Sequence, residues 1–509
     1  MLLSDLVEEF NSAKGAWTSG QDTGAGGRSG AASFHADSKG LLWIFGGYNN
    51  NNNPTAMWNY NPSTNEYRWV AGSNDTSATS QNLGEMGVPS PDVYPGESYW
   101  HSSTIDSNDN IWIYGNSNGD GNTFFMFNTS SLEFTWVGGN ESNVDHQTGE
   151  QGIPSPDVWP GELEGACLKA DSKGNLWLYG GYDSFTVNRV WHYNVTSRLW
   201  TFIIGNSTAQ TSIDYENPQW NGRWDAACTI DTDDRVWIFG GNGYGPAGQS
   251  QSDWGDLWSF NTRSMTWTLE FGNASSYQSV GQVTTFNQYS SNNYPSARYG
   301  ARMVDRRDGT LMLYGGYGYT PSDYGTLEDI WVFDKSSKLW KIVAGNWTAP
   351  DTLPNYENYR VGEATIGSRG YYAAASELTS RGNLIILGGE TGDTCCFSDI
   401  WIFDQDECAV GTHNCDTNAK CSNTLIGFNC TCNSGYSGDG FSCANINECS
   451  NGTHNCGSNE QCVDTNGSFT CQSVNSPSAT TPTTVSTASL IIQSSIASII
   501  VLNIIIVSI

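Results

Sequence analysis

The stretch "DSKGLLWIFGG" at residues 37 to 47 runs from an acidic turn into a short apolar strand and ends on two glycines. It returns as "DSKGNLWLYGG" at 171 to 181 and "DTDDRVWIFGG" at 231 to 241, with looser copies beginning at 106, 305 and 380. A phrase repeated this often marks an internal repeat, which has to be read before anything else. Aligned on Gly46, Gly115, Gly180, Gly240, Gly315 and Gly388, the copies are 69, 65, 60, 75 and 73 residues apart. Each carries a second mark downstream: an aromatic residue, another seven positions on, then a glycine five later. The series is Tyr60, Tyr67, Gly72; Phe127, Phe134, Gly139; Tyr193, Trp200, Gly205; Phe260, Trp267, Gly272; and Phe333, Trp340, Gly345.

Four short strands per unit emerge: a small-residue strand, the apolar strand ending in Gly-Gly, one of "LWSFN" type and one of "TWTLEFG" type. The second is apolar on both faces, so it belongs in the middle of a sheet covered on both sides. Radially arranged four-stranded sheets would meet that need. These features resemble the kelch family, and the resemblance implies an all-β chain with a kelch-type β-propeller over residues 1–404. The expected blade count is six, or seven with a front end missing. Phe10 and Trp17 share the seven-residue spacing, so the N-terminal strand is expected to complete the last blade. "MLLSDLVEEF" lacks the basic start and long apolar core of a signal peptide, which suggests an incomplete amino terminus.

Beyond the repeats, Cys408, Cys415, Cys421, Cys430, Cys432 and Cys443 form a dense set of the kind a short, core-poor segment needs in order to fold. A second set, Cys449, Cys456, Cys462 and Cys471, keeps the first three spacings and lacks the last two cysteines. Both look like epidermal-growth-factor-like modules, at 405–443 and, truncated, at 444–472. The resemblance implies pairs 408 with 421, 415 with 430, 432 with 443, 449 with 462 and 456 with 471. The prefixes "DQDEC" and "NINEC" match the calcium-binding variety. Ca2+ favours several oxygen ligands at once; Asp404, Glu407 and Asn423 would supply them in the first module. Asn445, Glu448 and Asp464 would do so in the second, with less charge and a weaker site.

The formal net charge of −30 disfavours nucleic acid as a partner. Asn-x-Ser/Thr sequons at Asn74, Asn140, Asn206, Asn273 and Asn346 follow the last strand's glycine in successive repeats. Others stand at Asn128, Asn194, Asn429, Asn451 and Asn466. A Ser/Thr/Pro stalk at 473–489 leads to an apolar tail at 490–509 with no Lys or Arg after it. That pattern fits a lipid-anchor signal with attachment at Ser478, or a single spanning segment. The chain is therefore expected on the extracellular face of the plasma membrane, fastened through its C-terminus.

The long loops carry aromatic residues that could bind a ligand: Tyr94, Trp159, Tyr244, Trp254, Tyr319 and Tyr324. The reading is a non-enzymatic cell-surface glycoprotein that binds protein or glycan ligands through propeller loops, with the cysteine modules as a calcium-stiffened spacer. A structural coat or matrix protein, and a secreted propeller enzyme acting on carbohydrate, are the alternatives. Arg28, Arg223, Arg298 and Arg369 recur before the first strands, as expected if each repeat solves the same hydrogen-bonding problem. Cys167 and Cys228 hold equivalent places in consecutive repeats and could bridge; Cys395 and Cys396 could pair with each other or elsewhere.

Overall fold

In a computed structural model of the chain, Asp37 Oδ1 accepts hydrogen bonds from the backbone N–H groups of Lys39 and Leu41, both at 2.9 Å. Its Oδ2 accepts the Trp43 indole N–H at 3.0 Å. One carboxylate thus closes the turn and holds the buried indole that opens the apolar strand. The device is repeated by Asp106 with Trp112 at 2.9 Å, Asp171 with Trp177 at 3.1 Å and Asp231 with Trp237 at 2.7 Å. Turns of neighbouring repeats are also joined. Ser38 donates through its N–H and hydroxyl to Asp109, at 2.9 and 2.6 Å, and Ser172 does the same to Asp234, at 2.7 and 2.8 Å.

The structure describes residues 18–19, 33–47, 55–62, 64, 66–73, 81–97, 100–116, 121–139, 146–205, 221–244, 250–273, 276–348, 350–351, 374–378, 383–390, 400–403, 408, 413–424 and 427–474. Two compact units are present, one of residues 1–413 with 423–429, the other of 414–422 with 430–509.

In the first unit each repeat folds as an antiparallel meander. The third repeat gives Cys167–Ala170, Leu176–Tyr179, Val190–Asn194 and Leu199–Ile204, hydrogen-bonded in that order. The fourth gives Ala227–Ile230, Arg235–Phe239, Leu257–Asn261 and Thr266–Phe271. The first, second and fifth repeats follow the same order, and the sixth shows three strands: Ala374–Leu378, Asn383–Leu387 and Ile400–Phe403. The second strand is buried throughout, as in Leu42–Phe45 and Leu176–Tyr179, because it is flanked on both edges and packed on both faces. Between third and fourth strands the register shifts at one place in each of the first five sheets, for example at Leu257/Trp258 and Ile330/Trp331. The small-residue first strands lie side by side in repeat order, and that of the sixth sheet lies against that of the first.

Two expectations are corrected. The expected kelch-type β-propeller is not shown by any closed or curled sheet: each described sheet is an open ladder, and no strand of one ladder pairs with a strand of the next. The repeat specifies the local meander through turn and strand chemistry, and its acidic turns also bond to those of the next repeat. Likewise, the N-terminal strand Thr18–Ser19 does not complete the last sheet. It pairs with Glu66–Ala71 and becomes a fifth strand of the first.

The glycine pair has a steric cause. At Gly241 φ is +88°, and a Cβ would sit 2.8 Å from the Ala226 Cβ and 3.0 Å from the Trp224 carbonyl oxygen. Only glycine combines that conformation with that approach. At the other end of the strands a second clamp recurs. Arg223 donates to both carboxylate oxygens of Asp256 and to the Gly240 carbonyl at 3.0 Å, while Asp256 Oδ2 also accepts the Trp258 indole N–H at 2.8 Å. Arg298 repeats this with Asp329, at 2.5 and 2.8 Å, with Gly315 O at 2.9 Å and with Trp331 Nε1 donating to Asp329 at 2.7 Å. All four ionic side chains are buried. These two recurring arginines thus do serve one local hydrogen-bonding task; Arg28 and Arg369 lie outside the described residues.

Removing one partner of such a pair leaves a buried, uncompensated charge, which typically costs about 3–5 kcal/mol. Asp256→Ala is expected to lose stability on that scale. An Arg223→Met/Asp256→Leu double variant should lose less than the single one, and denaturant unfolding followed by tryptophan fluorescence compares the two.

Candidate functional sites

In the second unit the chain is held by covalent staples rather than by a core. The disulfides Cys415–Cys430, Cys432–Cys443, Cys449–Cys462 and Cys456–Cys471 form as the resemblance implied, and Cys408 and Cys421 are both disulfide-bonded. In the first unit Cys167 and Cys228 bridge the first strands of consecutive sheets. Cys395 and Cys396 lie outside the described residues.

The first module contains an anchor that sequence reading missed. Asp416 accepts the Asn418 N–H at 2.8 Å and the Cys443 N–H at 3.1 Å, which hold its carboxyl below the usual range. The Asp-x-Asn pair after Cys415 is an Asx-turn signal that could have exposed it. Asp404 and Glu407 lie outside the described residues, and so does the side chain of Asn423.

The second calcium set is brought together. Asn445 Nδ2 donates to Asp464 Oδ2 at 3.0 Å, and Asn445 Oδ1 accepts the Gly467 N–H at 2.5 Å. Glu448 opens a single helical turn, Glu448–Asn451, whose N-cap Asn447 accepts the Ser450 N–H at 2.8 Å. The turn packs against the hairpin Glu460–Thr465 and Ser468–Ser473, which carries Asp464. Two buried carboxylate oxygens, Glu448 Oε2 and Asp464 Oδ1, have no hydrogen-bond partner. Buried anionic oxygens left without donors are costly unless a cation meets them, so the donor set fits a hard divalent ion. His454, Cys456 and Cys462 also approach one another, but both sulfurs are consumed in disulfides. Next to the calcium set, the Tyr436 ring lies over Gly467, where a Cβ would come within 2.6 Å of it. The Ile446 N–H donates to the Gly435 carbonyl at 2.9 Å. The two modules are therefore packed together at the same corner as Asn445 and Asp464.

The loop aromatics do not converge. Trp254 is fully buried beneath the Arg223 guanidinium, 4.4 Å from its ring. Trp159 packs on Tyr114 and Trp200, with centroids at 5.9 and 6.2 Å, and Tyr94 on the cluster containing Val93. Tyr244 is half-buried in the strand Asn242–Tyr244. Tyr319 and Tyr324 lie 4.7 Å apart, and Tyr324, 38% exposed, donates its hydroxyl to Asp253 at 2.7 Å. Among the sequons, Asn273, Asn429, Asn451 and Asn466 are exposed. Asn346 Oδ1 accepts the Thr348 N–H and hydroxyl, at 2.9 and 2.7 Å. Asn194 Oδ1 accepts the Ser197 N–H. Asn128 is half-buried and donates its Nδ2 to Asn110. Asn74, Asn140, Asn206 and Ser478 lie outside the described residues, as does the tail; among the described residues no helix is long and apolar enough to cross a membrane.

Comparison with known proteins places the cysteine modules. Residues 408–443 match the EGF domain family, and residues 445–483 match the calcium-binding EGF domain family. Calcium is thus the ion of the second module, and the first matches the plain form from its first cysteine onward. The mouse "Sushi, von Willebrand factor type A, EGF and pentraxin domain-containing protein 1" is 34% identical over 115 residues, 20% of this chain and 3% of that protein. The human "Signal peptide, CUB and EGF-like domain-containing protein 3" is 48% identical over 44 residues, 9% of this chain and 4% of that protein. The chain spans only a few per cent of the length of these curated relatives. The modules mark an extracellular protein. Neither the matched families nor a closed sheet supports the reading of a ligand-binding propeller face, which is not carried further.

Burial raises the Asp253 carboxyl from 3.8 to about 6, against the lowering effect of hydrogen bonds from Tyr324 and Asn242. An acid that keeps its proton longer in the fold stabilises it below the unfolded value, and that contribution is lost as pH rises through the folded value. Asp253→Asn should therefore flatten the decline of stability between about pH 4 and pH 6, measured as unfolding midpoints across that range.

Proposed function

We propose that the chain is a non-enzymatic extracellular modular protein in which calcium, bound at Asn445, Glu448 and Asp464, locks the second cysteine module against the first. The pair of orphaned carboxylate oxygens, Glu448 Oε2 and Asp464 Oδ1, carries this reading. The hydrogen bonds of Asn445 to Asp464 and Gly467 support it, because they put the ligand set at the corner where Tyr436 meets Gly467. A cation there would satisfy both oxygens and tie the helical turn to the hairpin. The corresponding set Asp404, Glu407 and Asn423 would act in the same way in the first module. The names of the relatives, all built of EGF with CUB or sushi domains, support a non-catalytic role in general.

In this reading the first unit is carried at the cell surface by the stalk, with the C-terminal tail replaced by a lipid anchor at Ser478 or retained as a spanning segment. The exposed sequons carry glycans, and the partner is a protein or glycan outside the cell.

Millimolar calcium should protect residues 443–449 from proteolysis and hydrogen exchange in the full chain, with a dissociation constant of roughly 0.1–1 mM. Glu448→Gln with Asp464→Asn should abolish that protection and leave the disulfides intact by mass spectrometry. Equal protection in calcium and in chelator would remove the site. Separately, phosphatidylinositol-specific phospholipase is expected to release the protein from intact cells; retention together with detection of peptides from 490–509 would establish the spanning segment instead.

A further inference from the structure

Beyond the glycine pair of the third repeat, the short strand Tyr182–Asp183 pairs with Phe185–Thr186. Tyr182 also bridges to Glu164: the Tyr182 N–H donates to the Glu164 carbonyl at 2.9 Å, and the Glu164 N–H to the Tyr182 carbonyl at 3.0 Å. Residues paired in this way carry their side chains on one face of the ladder, with Cβ atoms about 5 Å apart. The corresponding residue is Trp224 in the fourth repeat, bridged to Asn242, and Tyr299 in the fifth, paired with Tyr317. Their rings form a continuous row. Trp224 lies 6.2 Å from Trp100, 6.2 Å from Tyr182 and 5.8 Å from Tyr299, centroid to centroid, and Tyr299 lies 5.9 Å from Tyr317. All of these rings are half-buried, as is Glu164. A carboxylate thus stands at the place where the next two repeats put an aromatic ring.

Among the described residues the Glu164 carboxylate makes no hydrogen bond or ion pair, and burial, with the charge of Asp225 near it, pushes that carboxyl up. Asp183, on the same short ladder, is already met by Arg189 at 3.2 Å and by His146 at 3.6 Å. The third repeat also lacks the arginine of the next two. Buried Leu163 stands four residues before its first strand, where Arg223 and Arg298 stand before theirs. Arg223 shows what such surroundings hold: its guanidinium lies 4.4 Å from the Trp254 ring and donates through two nitrogens to Asp256. Glu164 supplies the same carboxylate, and Tyr182 and Trp224 supply the rings, with no guanidinium of this chain bonded to it among the described residues. Gly165 keeps ring and carboxylate together. A Cβ there would come 3.3 Å from the Trp224 ring, so the indole packs directly on the backbone beside Glu164.

We propose that Glu164, Tyr182 and Trp224 receive a guanidinium from outside the chain, the arginine side chain of an extracellular protein. A guanidinium is planar and weakly hydrated, its fork matches both oxygens of a carboxylate, and its face stacks on aromatic rings. An ammonium would answer the charge without the fork. The net charge of −30 draws a basic partner toward the site. The calcium set of the second module plays no part in it.

Calorimetric titration of the full chain with N-acetyl-L-arginine amide tests the proposal, beside the same derivatives of citrulline, which is planar but uncharged, and of lysine, which is charged but has no fork. The arginine compound should bind at millimolar concentration, and the other two about tenfold or more weakly. A blocked peptide carrying arginine between glycines should bind at least as well as the single residue, because the source is a protein side chain. Glu164→Gln should weaken arginine binding about tenfold or more at an unchanged melting temperature, since its carboxylate bonds nothing within the fold. Tyr182→Leu should weaken it too, which separates the rings from the charge alone. The inference is overturned by any of three results: no arginine binding at millimolar concentration, citrulline or lysine binding as well as arginine, or Glu164→Gln binding as well as wild type. A lower melting temperature for Glu164→Gln would make the carboxylate a structural group, and binding of the single residue but not of the peptide would overturn the protein source.

Discussion

The first unit depends on one carboxylate placed at a turn. Asp37 and its counterparts at 106, 171 and 231 each accept two backbone N–H groups through one oxygen and a tryptophan indole N–H through the other. A buried indole needs an acceptor, and a tight turn needs its inward N–H groups satisfied. The acidic turn meets both needs with one side chain, so the start of each apolar strand is fixed along the chain and in depth. Serines in the same turns extend the network to the next repeat, as Ser38 to Asp109 and Ser172 to Asp234. At the opposite end, Asp256 and Asp329 again hold an indole while neutralising a buried arginine. The fourth sheet is thus pinned at both ends by a carboxylate and a tryptophan, the first three at the turn and the fifth at the arginine clamp, with aliphatic and aromatic packing between.

The second unit obeys a different constraint. Its residues are mostly exposed or half-buried, so apolar burial contributes little and covalent closure takes its place. Disulfides hold strands together but do not neutralise charge. Glu448 and Asp464 are left with buried oxygens facing no donor, and the ion matched to this module answers that deficit. The same corner contains the contact between Tyr436 and Gly467, so ion binding and module packing act on one small group of atoms.

Asp225, like Trp100 in the same backbone chain, takes a left-handed backbone without being glycine. Its neighbours in the backbone chain, Gly165 and Gly300, show that glycine suffices there. Arg223, two residues earlier, donates to Asp256, Asn221 and the Gly240 carbonyl, so the carboxylate of Asp225 is not part of that clamp.

The sequence by itself determined what is local: the repeat, the order and bounds of its strands, the glycines at crowded left-handed positions, and the cysteine modules with their pairing pattern. Each depends on residues a few positions apart, so the chemistry is readable from spacing alone. The Asp-to-Trp spacing of six and the Asp-x-Trp pairs were equally legible, yet their meaning as hydrogen bonds appears only when the turn is folded. Tertiary structure decided the rest. It placed Thr18–Ser19 on the first sheet instead of the last, kept the sheets open where a kelch-type propeller was expected, and buried Trp254 under Arg223 where a binding residue was expected. It also gathered His35, Lys169, Asp225 and Arg302 from four repeats around one cavity. These outcomes depend on contacts between residues far apart in the chain, where many alternatives satisfy the same local pattern and only packing in three dimensions distinguishes them.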